Sequence, residues 1–170
     1  MAATVEISES NGNPEVVTDG ITNINFGSVD APDLVPASFK IVKGDSSYRK
    51  YLRVHLIALN GSTRIDTCKI WKSAGAYLPG ESIRFVNEVF PPNAYSPPND
   101  DPVEDDYDPN VVDLYTSEPV GTVIAISGGG GSLESDDTYS TYFILQLQTT
   151  ASIATGAVNQ KTFSFQYRET

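Results

Sequence analysis

The densest group of possible ligand atoms is the stretch "NDDPVEDDYDP", residues 99 to 109, which holds six carboxylates and two prolines. Calcium takes ~6 to 8 oxygen ligands in proteins, so Asp101, Asp105, Asp106 and Asp108 are candidate calcium ligands. The stretch has prolines where an EF-hand loop needs its turn glycine. We therefore expect a solvated acidic segment, with an ordered calcium site as the alternative.

The other residues that could do chemistry lack supporting partners in the sequence. His55 and Cys68 are the only histidine and the only cysteine, which excludes an intramolecular disulfide and every zinc pattern built from Cys and His. No G-x-S-x-G or equivalent accompanies His55, and Cys68 is predicted to be a small buried hydrophobe. The run Gly128 to Gly131 lacks the Lys-Ser or Lys-Thr of a P-loop. We expect no catalytic residues and no cofactor, and therefore a protein that is not an enzyme.

Charge and hydropathy restrict the partners. Twenty-two acidic against eleven basic residues give a formal charge of −11, which would be −5 without the six carboxylates of the acidic stretch. An acidic surface argues against a nucleic-acid partner. The sequence has no basic and apolar leader and no run near the ~18 apolar residues of a membrane span. We expect no signal peptide, no membrane partner, and synthesis in a cytoplasm.

The elements that would position these residues are strands. Residues 52 to 58 alternate, with Leu52, Val54 and Leu56 on one face. Asn60-Gly61 favours a type I′ turn, and Thr63 to Trp71 is predicted to return as the hairpin partner, with Cys68 inward beside Ile70.

Two more strands are predicted near the C-terminus, at "TYFILQLQTT" and "KTFSFQYRE", and they are expected to close the sheet. Weaker strands are predicted at "GITNINFGS", "ASFKIVK", "SIRFV" and "VGTVIAIS". Short strands separated by turn residues, with no helical period, predict a single all-β domain over residues 1 to 170. Its fold class is an antiparallel β-sandwich, with Ig-like or jelly-roll topology. Residues 1 to 20 are polar and are expected to be partly mobile.

Residues 87 to 119 interrupt this pattern. Seven of the eleven prolines fall there, so the segment is expected to be an extended arm inserted between strands and not a central strand. It exceeds the ~12 to 15 residues beyond which a structureless loop in a compact domain needs a reason, and binding is one such reason. The predicted interface residues of the arm are Pro91, Pro92, Tyr95, Pro97, Pro98, Pro102, Tyr107 and Pro109.

Three blocks of sequence carry a resemblance to a known family. They are "ITNINFGSVD", "KYLRVHLIALNGSTRIDTCKIWKS" and "YSTYFILQLQTTASIATGAVNQKTFSFQYRET", with an Ile-Trp-Lys strand end and a Thr-Phe-x-Phe-x-Tyr terminal strand. Together they resemble small β-sandwich structural proteins encoded among the virion genes of tailed bacteriophages. The resemblance covers the chain except for residues 87 to 119.

The resemblance implies a non-enzymatic virion protein made in the host cytoplasm, either a capsid decoration or cement protein that stabilises the particle or an accessory component of the neck or tail. The implied partners are other virion proteins, with self-association on the particle. The alternative is a receptor- or carbohydrate-binding β-sandwich module, tail-associated or on a cell surface and calcium-dependent if the acidic loop holds the ion. Fold alone does not separate these classes, because β-sandwiches host many functions.

Overall fold

The computed structural model describes residues 2–87, 94–126, 131–155 and 160–170, and it is an all-β sandwich of two antiparallel sheets. Within these ranges, no helix has the length and apolar character needed to cross a membrane. The elements are β1 Thr4–Asn11, β2 Val16–Thr18, β3 Lys50–Ala58, β4 Ile65–Ala74, β5 Glu81–Val86, α1 Glu104–Tyr107, β6 Val111–Asp113, β7 Thr138–Tyr139, β8 Phe143–Thr149 and β9 Thr162–Glu169.

The large sheet has the strand order β2-β1-β3-β8-β5-β6, with the short β7 also paired to β3, and the small sheet is the pair β4-β9. The main core lies between the sheets. Alternation on β3, β5 and β8 points apolar side chains toward β4 and β9, as the period-two rule requires. The fully buried members of this core include Leu52, Val54, Leu56, Ile65, Cys68, Ile70, Ile83, Phe85, Phe143 and Leu145.

The large sheet is also covered on its outer face. Tyr51 and Ile144 point away from the main core, yet both are buried in a second apolar cluster. Val103, from the acidic stretch, is fully buried in the same cluster, and Tyr95 and Tyr107 pack against it. The central strands β3 and β8 are therefore enclosed on both faces.

The predicted strands at residues 52 to 58 and 63 to 71 are confirmed, but their pairing as a hairpin is wrong. Asn60 and Gly61 do adopt positive φ, 53° and 104°, and Ser62 N donates to Leu59 O at 3.0 Å. However, β3 pairs with β1, β7 and β8, while β4 pairs with β9. Both edges of β3 are already occupied, so the turn carries the chain from one sheet to the other.

The two predicted C-terminal strands are confirmed as β8 and β9, and they too lie in different sheets. Of the weaker strands, only "SIRFV" is confirmed, as β5. The predictions at "GITNINFGS", "ASFKIVK" and "VGTVIAIS" are wrong, because these segments are irregular. In the first, asparagine side chains bond locally, with Asn25 Nδ2 donating to Leu34 O at 2.7 Å, which competes with a strand ladder. In the last, Val123 and Ile124 are buried and their N–H groups both donate to Cys68 O.

The N-terminal segment is ordered, which contradicts the expectation of a partly mobile tail. Strand β1 pairs with β3 along most of its length, and β2 pairs with β1. The prediction assumed that polar residues would be exposed, but Ser8, Glu9 and Ser10 of β1 are polar and buried. A buried polar strand is stable where its side chains find partners, and Ser8 Oγ donates to Asp19 Oδ1 at 2.6 Å.

The extended arm predicted for residues 87 to 119 is wrong where the structure describes it, from residue 94 onward. The segment folds back on its own sheet, forming α1 and then β6, which pairs with β5. Pro91 and Pro92, which were predicted to belong to the arm, lie outside the described residues, as do the first three glycines of the run Gly128 to Gly131. As expected for a proline-rich segment, it forms no central strand. It nevertheless pairs at the edge of the large sheet through β6 and packs on the outer face of that sheet.

The fully buried Gln146 of β8 holds this segment in place. Its Oε1 accepts from Val103 N at 2.8 Å, and its Nε2 donates to Asp101 O at 2.8 Å and to Ser47 O at 2.9 Å. Alternation along β8 points Gln146 toward the outer face, opposite to its neighbours Leu145 and Leu147. One amide therefore satisfies three backbone groups.

We expect the substitution Gln146→Leu to lower the free energy of unfolding by about 3 kcal/mol, because it leaves these buried backbone groups without partners. Urea titration followed by fluorescence measures the change. The matched control is Gln166→Leu on the exposed face of β9, which should change stability by about 0.5 kcal/mol or less. Equal effects of the two substitutions would contradict the role assigned to Gln146.

Candidate functional site

The acidic stretch is wrapped around a buried arginine. Arg49, at the start of β3, is only 3% exposed. Its Nη1 donates to the Asp106 carboxylate, its Nη2 to Pro102 O at 2.9 Å, and its Nε to Asp101 O at 3.3 Å. The planar guanidinium has five donors and suits a site that offers several oxygens at once. The acidic stretch therefore has a basic partner within its own chain.

A second arginine fixes the helix that follows. Arg84 of β5 bonds Glu104 at 2.5 Å and Asp113 at 2.5 Å. Gln148 Nε2 also donates to Glu104 Oε2 at 2.6 Å. Burial raises the pKa of Glu104, but the hydrogen bonds from Gln148 and Arg84 outweigh it and hold this pKa below its ordinary value. Glu104 is thus a structural anion.

The four candidate calcium ligands are exposed. Within the described ranges, the one group of three ligand-type side chains close enough to share a metal ion lies elsewhere, at Glu6, Asp19 and His55. The prolines of this stretch divide in the same way. Among the described prolines of the predicted interface, Pro98 is buried, whereas Pro97, Pro102 and Pro109 are exposed.

The predicted aromatic contacts of the arm are made within the chain. The rings of Tyr95 and Tyr51 meet edge to face at 5.4 Å between centroids, and the hydroxyls of Tyr107 and Tyr51 are 2.7 Å apart. Tyr95 also donates to Gly12 O at 2.8 Å. Both tyrosine rings and both hydroxyls therefore already have partners within the chain. A role of Tyr95 and Tyr107 in an interface with another protein stays a prediction.

His55 lies in a cluster that the sequence did not reveal. Its Nδ1 is 2.9 Å from Glu6 Oε1 and its Nε2 is 3.0 Å from Asp137 Oδ1. The ring is 6% exposed and stacks on Tyr139 at 4.1 Å between centroids. Asp19 Oδ1 is 3.7 Å from Nδ1 and accepts from Tyr139 and Ser8. Residues far apart in sequence meet here through the β1-β3-β7 pairing, for which no local pattern gives a signal.

The chemistry of this cluster is that of a hydrogen-bonded network. Each ring nitrogen of His55 has a carboxylate oxygen at hydrogen-bond distance, from Glu6 at Nδ1 and from Asp137 at Nε2. Each group that a metal ion would use already has a hydrogen-bond partner. Cys68 is on the other sheet, so its thiol is not placed to be activated by His55 as a general base.

A larger feature is an apolar cleft of about 1170 Å³ between the two sheets. It exceeds the ~300 to 1,000 Å³ of ordinary small-molecule sites. Its floor is formed by buried residues such as Ile70 and Ile83. Its walls include Ile24, Phe26, Phe163 and Phe165.

Six residues between 36 and 43 line one side of the cleft, and the exposed Val35 and Val42 lie beside them in the chain, outside the lining; the six are Pro36, Ala37, Phe39, Lys40, Ile41 and Lys43. Val35 and Val42 are 60% and 68% exposed, and Phe39 is also exposed. Lys40 and Lys43 stand beside them and make no ion pair with any residue that the structure describes. We call residues 35 to 43 the rim. The failed strand prediction at "ASFKIVK" thus falls on a surface that is apolar and basic in an acidic protein.

Comparison with known proteins gives no relative: no protein-family model, no curated protein and no solved structure matches this chain.

The Cys68 thiol is buried in the core, as predicted. Burial, and to a lesser degree the nearby Asp66 carboxylate, raise its pKa to about 12. The thiolate is the reactive form, so at pH 8 almost none of the thiol is ionised.

We expect Cys68 to react with iodoacetamide at pH 8 at least about 100-fold more slowly in the folded protein than in urea. Mass spectrometry counts the alkylated chains. The control is a Cys68→Ser protein that also carries Ser73→Cys, at an exposed position of the same strand, which should react at the rate of a free thiol. Rapid labelling of folded wild type would contradict the buried position of Cys68.

Proposed function

We propose that this protein is a non-enzymatic structural component of a tailed-bacteriophage virion, a decoration protein that binds the capsid and stabilises the particle. The observation that carries this proposal is the apolar cleft with its apolar, basic rim. Together with the sequence resemblance described above, it favours a protein that holds a neighbouring subunit over one that transforms a substrate.

The cleft defines the partner's chemistry. Its volume and its apolar lining suit a peptide segment that inserts apolar side chains more than they suit a compact metabolite. Burying exposed Val35 and Val42 against such a segment contributes roughly 25 cal/mol per Å² of apolar surface removed from water. Lys40 and Lys43 would then attract carboxylates beside the apolar anchors of that segment. The partner is therefore an apolar segment with flanking acidic residues on a neighbouring virion protein.

The acidic stretch has a different place in this proposal. Its backbone is fixed by Arg49 and Gln146, so it presents a rigid acidic face with Asp100, Asp105 and Asp108 exposed. A rigid face loses less conformational entropy on binding than a free arm. This face and the rim have opposite charge, which would favour defined orientations between neighbouring copies or subunits.

To test the proposal, the double variant Val35→Asp/Val42→Asp should bind particles that lack the protein at least about tenfold more weakly than wild type, a loss of about 1.4 kcal/mol. Cosedimentation with the particles measures binding. Because both side chains are largely exposed, the melting temperature should hardly change. The control is Val120→Asp, a fully exposed valine outside the rim, which should bind like wild type. Equal loss with Val120→Asp, or no binding by wild type, would contradict the proposal.

A ligand screen distinguishes the receptor- or carbohydrate-binding alternative. A ligand that binds the native state raises the free energy of unfolding by mass action, and the melting temperature rises with it. At a ligand concentration of 100 times the dissociation constant, the gain in stability is about 2.7 kcal/mol. We expect calcium and a broad glycan panel to leave the melting temperature unchanged. A rise with calcium that is removed by Asp105→Asn/Asp108→Asn, or a rise with one glycan class, would favour the alternative.

A further inference from the structure

A lysine, an asparagine and a glutamate are buried together at one end of the large sheet. Glu9 is 0% exposed, Lys50 is 1% exposed and Asn11 is 8% exposed. The register of β1 against β3 pairs Ser10 with Tyr51, so the next position places Asn11 opposite Lys50. Glu9 lies two residues before Asn11 and therefore points to the same face of the sheet.

One carboxylate oxygen contacts both nitrogens. Glu9 Oε1 accepts from Lys50 Nζ at 2.7 Å and from Asn11 Nδ2 at 2.9 Å. The amine of a lysine and the amide of an asparagine are therefore adjacent to the same proton acceptor. This is the arrangement needed to move a proton from an attacking amine to a departing amide nitrogen.

The loop that covers this site fixes the two reacting groups. Asp30 accepts from Asn11 Nδ2 at 2.5 Å and from Gly12 N at 2.7 Å, and Ala31 O accepts from Lys50 Nζ at 2.7 Å. Groups held in one geometry in this way gain an effective concentration far above that of free reactants.

The site also contains two buried acceptors that have no hydrogen-bond partner among the residues the structure describes, Glu9 Oε2 and Asn11 Oδ1. Leaving a buried polar atom unpaired is costly. A proton on Glu9 would turn one of these acceptors into a donor. Burial raises the pKa of Glu9 even though Lys50 and Asn11 act against the shift, which favours such a protonated form. A lysine amine is nucleophilic only after it has given up a proton, and Glu9 Oε1 is the carboxylate oxygen in contact with Lys50 Nζ.

We propose that Lys50 and Asn11 join in an intramolecular isopeptide bond, with Glu9 carrying the protons. The Lys50 ammonium gives one proton to Glu9, and the lone pair of Nζ then attacks Asn11 Cγ, sending the carbonyl electron pair to Oδ1. When the tetrahedral intermediate collapses, the bond from Cγ to Nδ2 breaks. Glu9 passes its proton to Nδ2, which leaves as ammonia, and the Oδ1 electron pair restores the carbonyl. Glu9 then takes the second proton from Nζ, so that Nζ becomes the amide N–H and Glu9 ends in the protonated form. The Nζ–Cγ amide is the product, with no change of oxidation state and no co-reactant.

The bond would tie β1 covalently to β3. It closes the chain between residues 11 and 50, a span that includes the irregular segments at 20–28 and 37–43 and the rim. A cross-link of this kind restricts the unfolded chain and so stabilises the native sandwich. The inference rests on the buried triad alone and stands independently of the proposed function.

The first test is the mass of the full wild-type chain under denaturing conditions. The expected mass is lower than the sequence mass by one ammonia molecule, after any loss of Met1 is taken into account. Because the first basic residue is Lys40 and the bond blocks cleavage after Lys50, trypsin should release a branched peptide that joins residues 1–40 to residues 50–53. An intact mass equal to the sequence mass would overturn the proposal.

The variants Glu9→Gln and Lys50→Arg should each restore the full mass and lower the melting temperature. The matched control is Lys72→Arg, another buried lysine, whose Nζ donates to Gly75 O. This variant should keep the ammonia loss and the branched peptide. If the ammonia loss persists in Glu9→Gln, Glu9 is not the proton carrier and the mechanism is overturned.

A second route to the same mass must be distinguished. Asn11 precedes Gly12, and attack of the Gly12 nitrogen on Asn11 Cγ gives a succinimide that has also lost ammonia. In that case trypsin cleaves after Lys50, no branched peptide forms, and Lys50→Arg keeps the lower mass. That combination would overturn the isopeptide bond. The structure disfavours the succinimide, because Gly12 N donates to Asp30.

Discussion

The burial of β3 and β8 on both faces is the constraint on which the rest of the structure depends. One face of these strands is covered by the small sheet and the other by the acidic segment, so neither cover is dispensable. Strands enclosed in this way need partners for polar groups on both sides. Gln146 and Arg49 supply them on the outer face, where they bond the backbone of the segment that covers them. The acidic stretch is therefore part of the fold.

Buried charged side chains, like the buried polar ones, have partners within the chain. The buried basic side chains of Arg49 and Lys50 are neighbours in sequence, yet they point to opposite faces of the sheet, where each meets its own carboxylate. An unpaired charge in either place would be strongly destabilising. Several acidic side chains are thus paired with arginine or lysine at the surface of the sheet. What remains unpaired at the rim is basic, which separates the rim from the rest of the surface.

These features bear on function in two ways. The outer face is closed by the chain itself, while the cleft between the sheets leaves apolar side chains that none of the described residues covers. A chain with a closed face and an open apolar cleft is suited to assembly, and this supports the proposed virion role. A covalent link between β1 and β3 would add mechanical resistance near the loop that carries the rim. The two proposals are compatible, although each rests on its own observations.

The sequence by itself determined which segments form the strongest strands and which way their side chains point. Alternation identified β3, β8 and β9, and the dipeptide Asn60-Gly61 identified a turn with positive φ, because both are local properties of the chain. Only the tertiary structure decided which strands pair. Alternation shows which face of a strand is buried, but it does not identify the strand that packs or pairs with it. The same reason explains the candidate sites. His55 with Glu6 and Asp137, and Lys50 with Glu9 and Asn11, are brought together by strand pairing and by covering loops, over sequence separations that carry no local pattern.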